Sequence, residues 1–197
     1  MTRLVLASAS PARLATLRSA GLRPEVVVSG VDESVVTVED PASLAVELAR
    51  LKATTVAADL DDALVVGCDS VLAFDGAVHG KPADAGEATA RWRAMRGRSG
   101  VLHTGHCVID TSTGRQVARG AGTVVHFAQI SDAEVEAYVA TGEPLDVAGA
   151  FTIDGFGGAF VTGIEGDPHT VVGISLPLLR LMMAELEIAW TDLWARP

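Results

Sequence analysis

Apolar runs of strand type alternate, early in this chain, with helices whose first residues are marked in the sequence itself. Leu4 to Ala7 reads as a short buried strand. Ser10 then suits an N-cap, Pro11 the first helical position, and Leu14 and Leu17 supply a spaced apolar face. "EVVVSGV" reads as a second strand, followed by the acidic pair Asp32 and Glu33. Asp40 and Pro41 open another helix in the same way, with Leu44, Leu48 and Leu51 at helical spacing. "ALVVGCDSVLAF" is a strand-type run interrupted by Asp69 and Ser70, and Asp75-Gly76 after it signals a tight hairpin turn. This order fits a sheet with helices on its faces.

Further along, hairpins enter the pattern. Asp84 and Glu87 make a capping-box-like start to a helix whose face carries Ala88, Trp92 and Met95. Two extended segments, "VLHTGHCVI" and "GTVVHFA", are joined around the turn signal "TSTG". Ser131 and Glu134 open a helix that ends near Gly142, with Pro144 just beyond. "GAFTI", "GAFVTGI" and "HTVVGI" read as late strands punctuated by glycine, and a last helix carries Leu178, Leu181, Met182 and Leu186. The expected fold is therefore α/β, with a mixed twisted sheet and flanking helices. At 197 residues, 49% of them hydrophobic, the chain can bury a substantial core as one domain or as two tightly joined lobes.

Charge and cysteine content narrow the function. A formal charge of −10 argues against a general nucleic-acid binder but not against a small polyanion held in a local pocket of Lys and Arg. No apolar run approaches the roughly 18 residues of a membrane span, and Arg3 before a short apolar run does not make a signal peptide. Cys68 and Cys107 are too few for a disulfide framework and read as free buried thiols, which points to the cytoplasm. His103 and His106 point to opposite faces of a strand, and neither cysteine has a CxxC partner, so no zinc site is expected. "GFGG" lacks the third glycine of a dinucleotide fingerprint, and no GxSxG nucleophile elbow occurs.

Several polar residues break apolar patterns. A strand, a serine-rich loop and a helix N-terminus together make an anion site, because the first-turn amides lack intrahelical partners. Ser8 and Ser10 add hydroxyls there and Arg13 a two-pronged cation, although Ser10 can equally serve as a plain cap. Lys52 lies at the border of the second helix's buried stripe, where a lysine either snorkels or serves a site. Asp69 follows "LVVGC", where a buried strand should continue, and an ionised carboxylate in a core is costly unless it is paired or bound to metal. Lys81 in "HGKP" reads either as a phosphate ligand or as an ordinary loop cation.

In order along the chain, "LASASPARL", Glu33, Lys52, "GCDSV" around Asp69, "GKP" at Lys81, "TGEPLDVAGAF" and "GFGGAFVTGIEGD…TVVGISLPLL" together resemble the Maf family of nucleoside triphosphate pyrophosphatases. The resemblance implies an α/β fold similar to inosine triphosphatases, with two lobes around a central cleft in a single domain over residues 1–197, usually as a homodimer. It implies hydrolysis of the α–β phosphoanhydride of (d)NTPs, modified ones included, to a monophosphate and pyrophosphate. Arg13, Lys52 and Lys81 then neutralise the triphosphate, Glu33 and Asp69 carry Mg²⁺ or Mn²⁺, and Asp69 is the general base.

Three positions depart from the branch that prefers dTTP and UTP. Ala12 stands where that branch has the first of two arginines, Ser70 where it has Thr, and Asp154 where it has Gln. An ionised Asp154 can accept from a base's N–H groups, so an altered or broad base preference is expected with the hydrolytic set intact. The family's association with arrest of septum formation supplies the rival expectation, a non-catalytic nucleotide-binding regulator of cell division. A carboxylate set among cations favours the enzyme.

Overall fold

The computed structural model describes residues 3–195. Seven strands form a mixed sheet. These are β1 (Arg3–Leu6), β2 (Glu25–Val26), β3 (Ala63–Phe74), β4 (Ala77–His79), β5 (Ser99–Asp110), β6 (Gln116–Phe127) and β7 (Val161–Glu165). The order across the sheet is β2-β1-β3-β5-β6-β7, with β4 paired to β3. β1 runs parallel to β2 and β3, whereas β4 and β7 run antiparallel to their partners. The helices are α1 (Pro11–Ser19), α2 (Pro41–Ala57), α3 (Ala85–Met95), α4 (Asp132–Ala140), α5 (Pro168–Val172) and α6 (Leu176–Glu185). The expected α/β class with a mixed sheet is what the chain forms.

Local chemistry accounts for the helix starts. Ser10, Asp40, Asp84 and Ser131 each accept a hydrogen bond from the backbone N–H three residues on, and Pro11 and Pro41 follow two of these caps. At Ser131 the bond is reciprocated by Glu134, a full capping box. Asp75 and Gly76 both take positive φ, 53° and 77°, as a tight two-residue turn between β3 and β4 requires.

The chain divides into two compact units. The first holds the chain up to Asp69, Thr104–Ala121 and the chain from Gly173 on. Here β3 is covered on both faces, so its residues alternate between two apolar clusters. Leu64, Val66 and Cys68 join Leu17 of α1 and Leu179, Met182 and Met183 of α6, while Ala63 and Val65 join Ala49, Ala53 and Val56 of α2. α2 lies unusually close to the sheet. A Cβ at Gly67 would stand 2.3 Å from the Ala49 carbonyl oxygen, and one at Gly105 would stand 2.1 Å from that of Ala45. The second unit, Ser70–His103 and Gly122–Val172, is built around Trp92. Its ring meets Phe127, Tyr138 and Phe160 edge-on at 5.4–5.9 Å, and its Nε1 donates to the Ala150 carbonyl at 2.7 Å.

Several expected elements are corrected. "EVVVSGV" keeps strand geometry over Glu25–Val26 alone, and the acidic pair after it opens a 3₁₀ turn, Asp32 capping Glu33–Val35. By contrast, "ALVVGCDSVLAF" is the strand expected: β3 covers all of it as one 12-residue strand, with the polar Asp69 and Ser70 inside. Of the three late segments, "GAFVTGI" alone carries a strand. "GAFTI" enters a 3₁₀ turn with Gly149 at φ 74°, and Pro168 starts α5 across "HTVVGI" after Asp167 has accepted from the His169 N–H. On α6 the buried side belongs to Leu179, Met182 and Met183, whereas Leu181 is exposed.

Candidate active site

The last pairing of β1 with β3 joins Leu6 to Val66, and β3 runs on from there to Asp69. The chain leaving β1 turns through Ser8 and Ser10 into α1. This is the carboxyl end of a parallel strand pair, the place where open α/β sheets bind ligands. Gly67 and Asp69 share one strand face, the face that α2 covers. Because Gly67 has no side chain, α2 comes close enough for Lys52 to reach Asp69.

Four charged side chains make the centre. Lys52 Nζ donates to Asp69 Oδ1 and lies 2.7 Å from Glu33 Oε1. Asp69 is buried, Lys52 nearly so, and Glu33 exposed. Arg13 Nε donates to the Gly173 carbonyl at 2.8 Å and Nη1 to Ser8 Oγ at 3.0 Å, which aims the guanidinium along the loop after β1. Ser8 Oγ also accepts from Ser10 N at 3.2 Å, so its own O–H proton is directed elsewhere. Ser10 Oγ caps α1 by accepting from Arg13 N. The first unit thus brings together Ser8, Ser10, Arg13, Glu33, Lys52 and Asp69 from four separate stretches of sequence.

The electrostatics of Asp69 follow from this setting. Burial pushes its carboxyl above the ordinary carboxylate range, and the positive charges of Lys52 and Arg13 offset that push without cancelling it. Glu33 adds a smaller repulsion in the same direction as burial. A buried carboxylate with enhanced proton affinity, facing two cations beside a helix N-terminus, can bind an anion and take a proton from a group next to it. Burial also pushes the Cys68 thiol up to about 12 and that of Cys107 up to about 11, so both free cysteines are neutral packing groups.

Four further expected site residues are Ala12, Ser70, Lys81 and Asp154. Ala12 sits on α1 between Pro11 and Arg13. Ser70 follows Asp69 on β3, Lys81 is exposed in the loop after β4, and Asp154 is exposed in the loop after Phe151; these three belong to the second unit. Two residues of that unit escaped the sequence reading. Arg91 is buried on α3, donating to the Gly80 carbonyl at 2.6 Å and to Glu87 at 2.6 Å, so it holds the residue before Lys81. Its place in the stripe with Ala88, Trp92 and Met95 was the available signal. Glu143 gathers four donors around the loop that carries Asp154. Nothing local to "TGEPLD" marks it, because its partners lie up to 14 residues away. Among the described residues, no three His, Cys, Asp or Glu side chains cluster as a metal site.

Fold and site define a mixed α/β protein that presents cations and one buried carboxylate at the ends of parallel strands. A family model described as Maf-like protein matches residues 3–186, and the chain belongs to that family. A protein from Salinispora tropica named nucleoside triphosphate pyrophosphatase is 61% identical over 199 residues, covering 98% of this chain and 88% of that one. One of the same name from Streptomyces coelicolor is 62% identical over 195 residues, covering 98% and 95%. Among solved structures, a HAM1 protein from Coxiella burnetii is similar with a TM-score of 0.42 and 20% identity, over 66% of this chain and 75% of that one.

Proposed function

We propose that this chain is a nucleoside triphosphate pyrophosphatase, hydrolysing the α–β phosphoanhydride of (d)NTPs, modified ones included, to a monophosphate and pyrophosphate. The observation that carries the reading is the buried Asp69 carboxylate paired with Lys52 under the charge of Arg13. The name shared by the similar proteins supports it.

The triphosphate brings about four negative charges, so positioning and charge neutralisation are the main work. Arg13 and the first amides of α1 receive phosphate oxygens, and the hydroxyl protons of Ser8 and Ser10 add donors. Lys52 has three N–H donors; one goes to Asp69, its charge also pairs with Glu33, and its remaining donors are directed to the substrate. Lys81 contributes a further cation from its loop. Asp69 is the general base. With Oδ1 engaged by Lys52, Oδ2 accepts the proton of the attacking water as the water oxygen bonds to phosphorus. The bridging P–O bond breaks, and its electron pair leaves with the pyrophosphate oxygen.

The carboxylates fit a hard divalent ion. Glu33 and Asp69 converge on a single positive charge, that of Lys52, and offer oxygen donors only, so these two carboxylates would hold Mg²⁺ or Mn²⁺. When bound, the ion neutralises phosphate charge and polarises the anhydride. Base preference is assigned to Ala12, Ser70 and Asp154, with the ionised Asp154 accepting from base N–H groups. The whole chain acts as one functional domain, in a homodimer.

The test is a panel of natural and methylated nucleoside triphosphates incubated with the purified protein and Mn²⁺, with products identified by ion-exchange chromatography. Pyrophosphate and the matching monophosphate are expected from at least one member. Release of orthophosphate alone, or no release across the panel, contradicts the reading.

A further inference from the structure

Glu143 stands in the 3₁₀ turn Glu143–Asp146, straight after α4, where a carboxylate would ordinarily be solvated. Here it is half-buried and fully engaged. Oε1 accepts from Tyr138 Oη at 2.9 Å, from Thr152 Oγ1 at 2.5 Å and from Gly157 N at 2.9 Å, and Oε2 accepts from Phe156 N at 2.9 Å. Tyr138 Oη in turn accepts from Thr152 N at 3.3 Å. One carboxylate therefore binds Thr152 on one side of Asp154 and Phe156 and Gly157 on the other.

The loop is fitted to this clamp. A Cβ at Gly155 would stand 2.2 Å from Glu143 Oε2, and one at Gly157 would stand 2.5 Å from Tyr138 Oη. Burial alone would raise the Glu143 carboxyl, but the bonds from Thr152, Gly157, Phe156 and Tyr138 outweigh it and hold the group ionised below the ordinary range. Every partner is a donor, so the site calls for an acceptor-only group; an amide in its place would set its NH₂ against an N–H or O–H.

We propose that Glu143 is a positioning residue for base selectivity: it fixes the 152–157 loop and so sets where the Asp154 carboxylate meets the base. The proposal rests on the reading of Asp154 as a residue that faces the base. Hydrogen-bond discrimination between bases needs the reading group held to within about 0.5 Å. A loop released from Glu143 lets Asp154 sample positions from which preferred and disfavoured bases look alike.

The experiment measures kcat/KM for a preferred and a disfavoured nucleoside triphosphate in the wild type, Glu143→Gln, Tyr138→Phe, Asp154→Ala and the double variant Glu143→Gln/Asp154→Ala. Glu143→Gln should lower the selectivity ratio about tenfold, the loss lying in KM for the preferred nucleotide. Tyr138→Phe, which keeps the carboxylate and removes one donor, should lower it about threefold in the same direction. In the Asp154→Ala background, Glu143→Gln should leave the ratio where Asp154→Ala put it, since both act through one group. If Glu143→Gln does not fold, Tyr138→Phe and its double variant with Asp154→Ala carry the same comparison. A ratio that moves with Asp154→Ala but stays at the wild-type value in Glu143→Gln or Tyr138→Phe overturns the positioning role and leaves Asp154 in place. A ratio unmoved by Asp154→Ala overturns the reading of Asp154 and the proposal with it.

Discussion

Gly67 offers a test of how the site is built, because it does no chemistry itself. It lies two residues before Asp69 on the same face of β3, under α2. An added methyl group would meet Ala49 O at 2.3 Å, Ala53 N at 2.8 Å and Ala53 Cβ at 2.9 Å. Two of these atoms are backbone, so no side-chain rotation relieves the clash. A tolerable carbon–oxygen contact is roughly 3.3 Å, so in Gly67→Ala the helix must withdraw by about 1 Å. Overpacking of this kind costs about 1–3 kcal/mol, and in a domain of this size each kcal/mol lowers Tm by roughly 2–4 °C. Lys52 rides on that helix, and a misplacement of about 1 Å in a positioned group can cost roughly 10²-fold in rate. Urea unfolding should show the stability loss, and initial rates of pyrophosphate release should show a fall in kcat/KM of about that size. Wild-type stability would refute the packing argument. A stability loss with unchanged kcat/KM would refute the idea that α2's approach places Lys52.

Acidity offers a second check. Because burial raises the folded carboxyl of Asp69 above its ordinary value, folded protein holds that proton where unfolded chain has lost it. The Asp69 contribution is therefore fully present below about pH 4, the ordinary carboxylate value, and is lost as pH rises through the raised folded value. The Tm of Asp69→Asn minus that of wild type should accordingly grow with pH over that window and then level off; a flat or falling difference contradicts the burial argument. Metal binding should be coupled to nucleotide, since among the described residues two carboxylates converge but no cluster of three exists. Calorimetric titration of Mn²⁺ should give weak binding to protein alone and much tighter binding with a non-hydrolysable triphosphate, and tight stoichiometric binding without nucleotide would count against the two-carboxylate assignment.

What the sequence disclosed depended on how local the causes were. The caps at Ser10, Asp40, Asp84 and Ser131 and the Asp75-Gly76 turn rest on bonds within a few residues, so they were legible. The strand reading of "HTVVGI" failed because Pro168 and the Asp167 side chain start a helix there against the β-branched run. Asp69 was legible as an anomaly, a charge in an apolar run, but its pairing was not. Lys52 reaches it across 17 residues, by way of a helix approach that two glycines permit. Glu143 and Arg91 stayed hidden for a related reason. Half of their six partners are backbone groups of other loops, and backbone groups carry no sequence signature.

Asp69→Asn keeps the size of the side chain and removes its capacity to take a proton. Pyrophosphate release by this variant, measured under saturating nucleotide and Mn²⁺ alongside its thermal unfolding, addresses the general-base assignment directly. The expected result is a cooperatively folding protein whose kcat has fallen by roughly 10²–10⁴-fold, the range a lost general base supplies. A folded variant that retains wild-type kcat would show that the proton leaves by another route, and the assignment of Asp69 would be wrong.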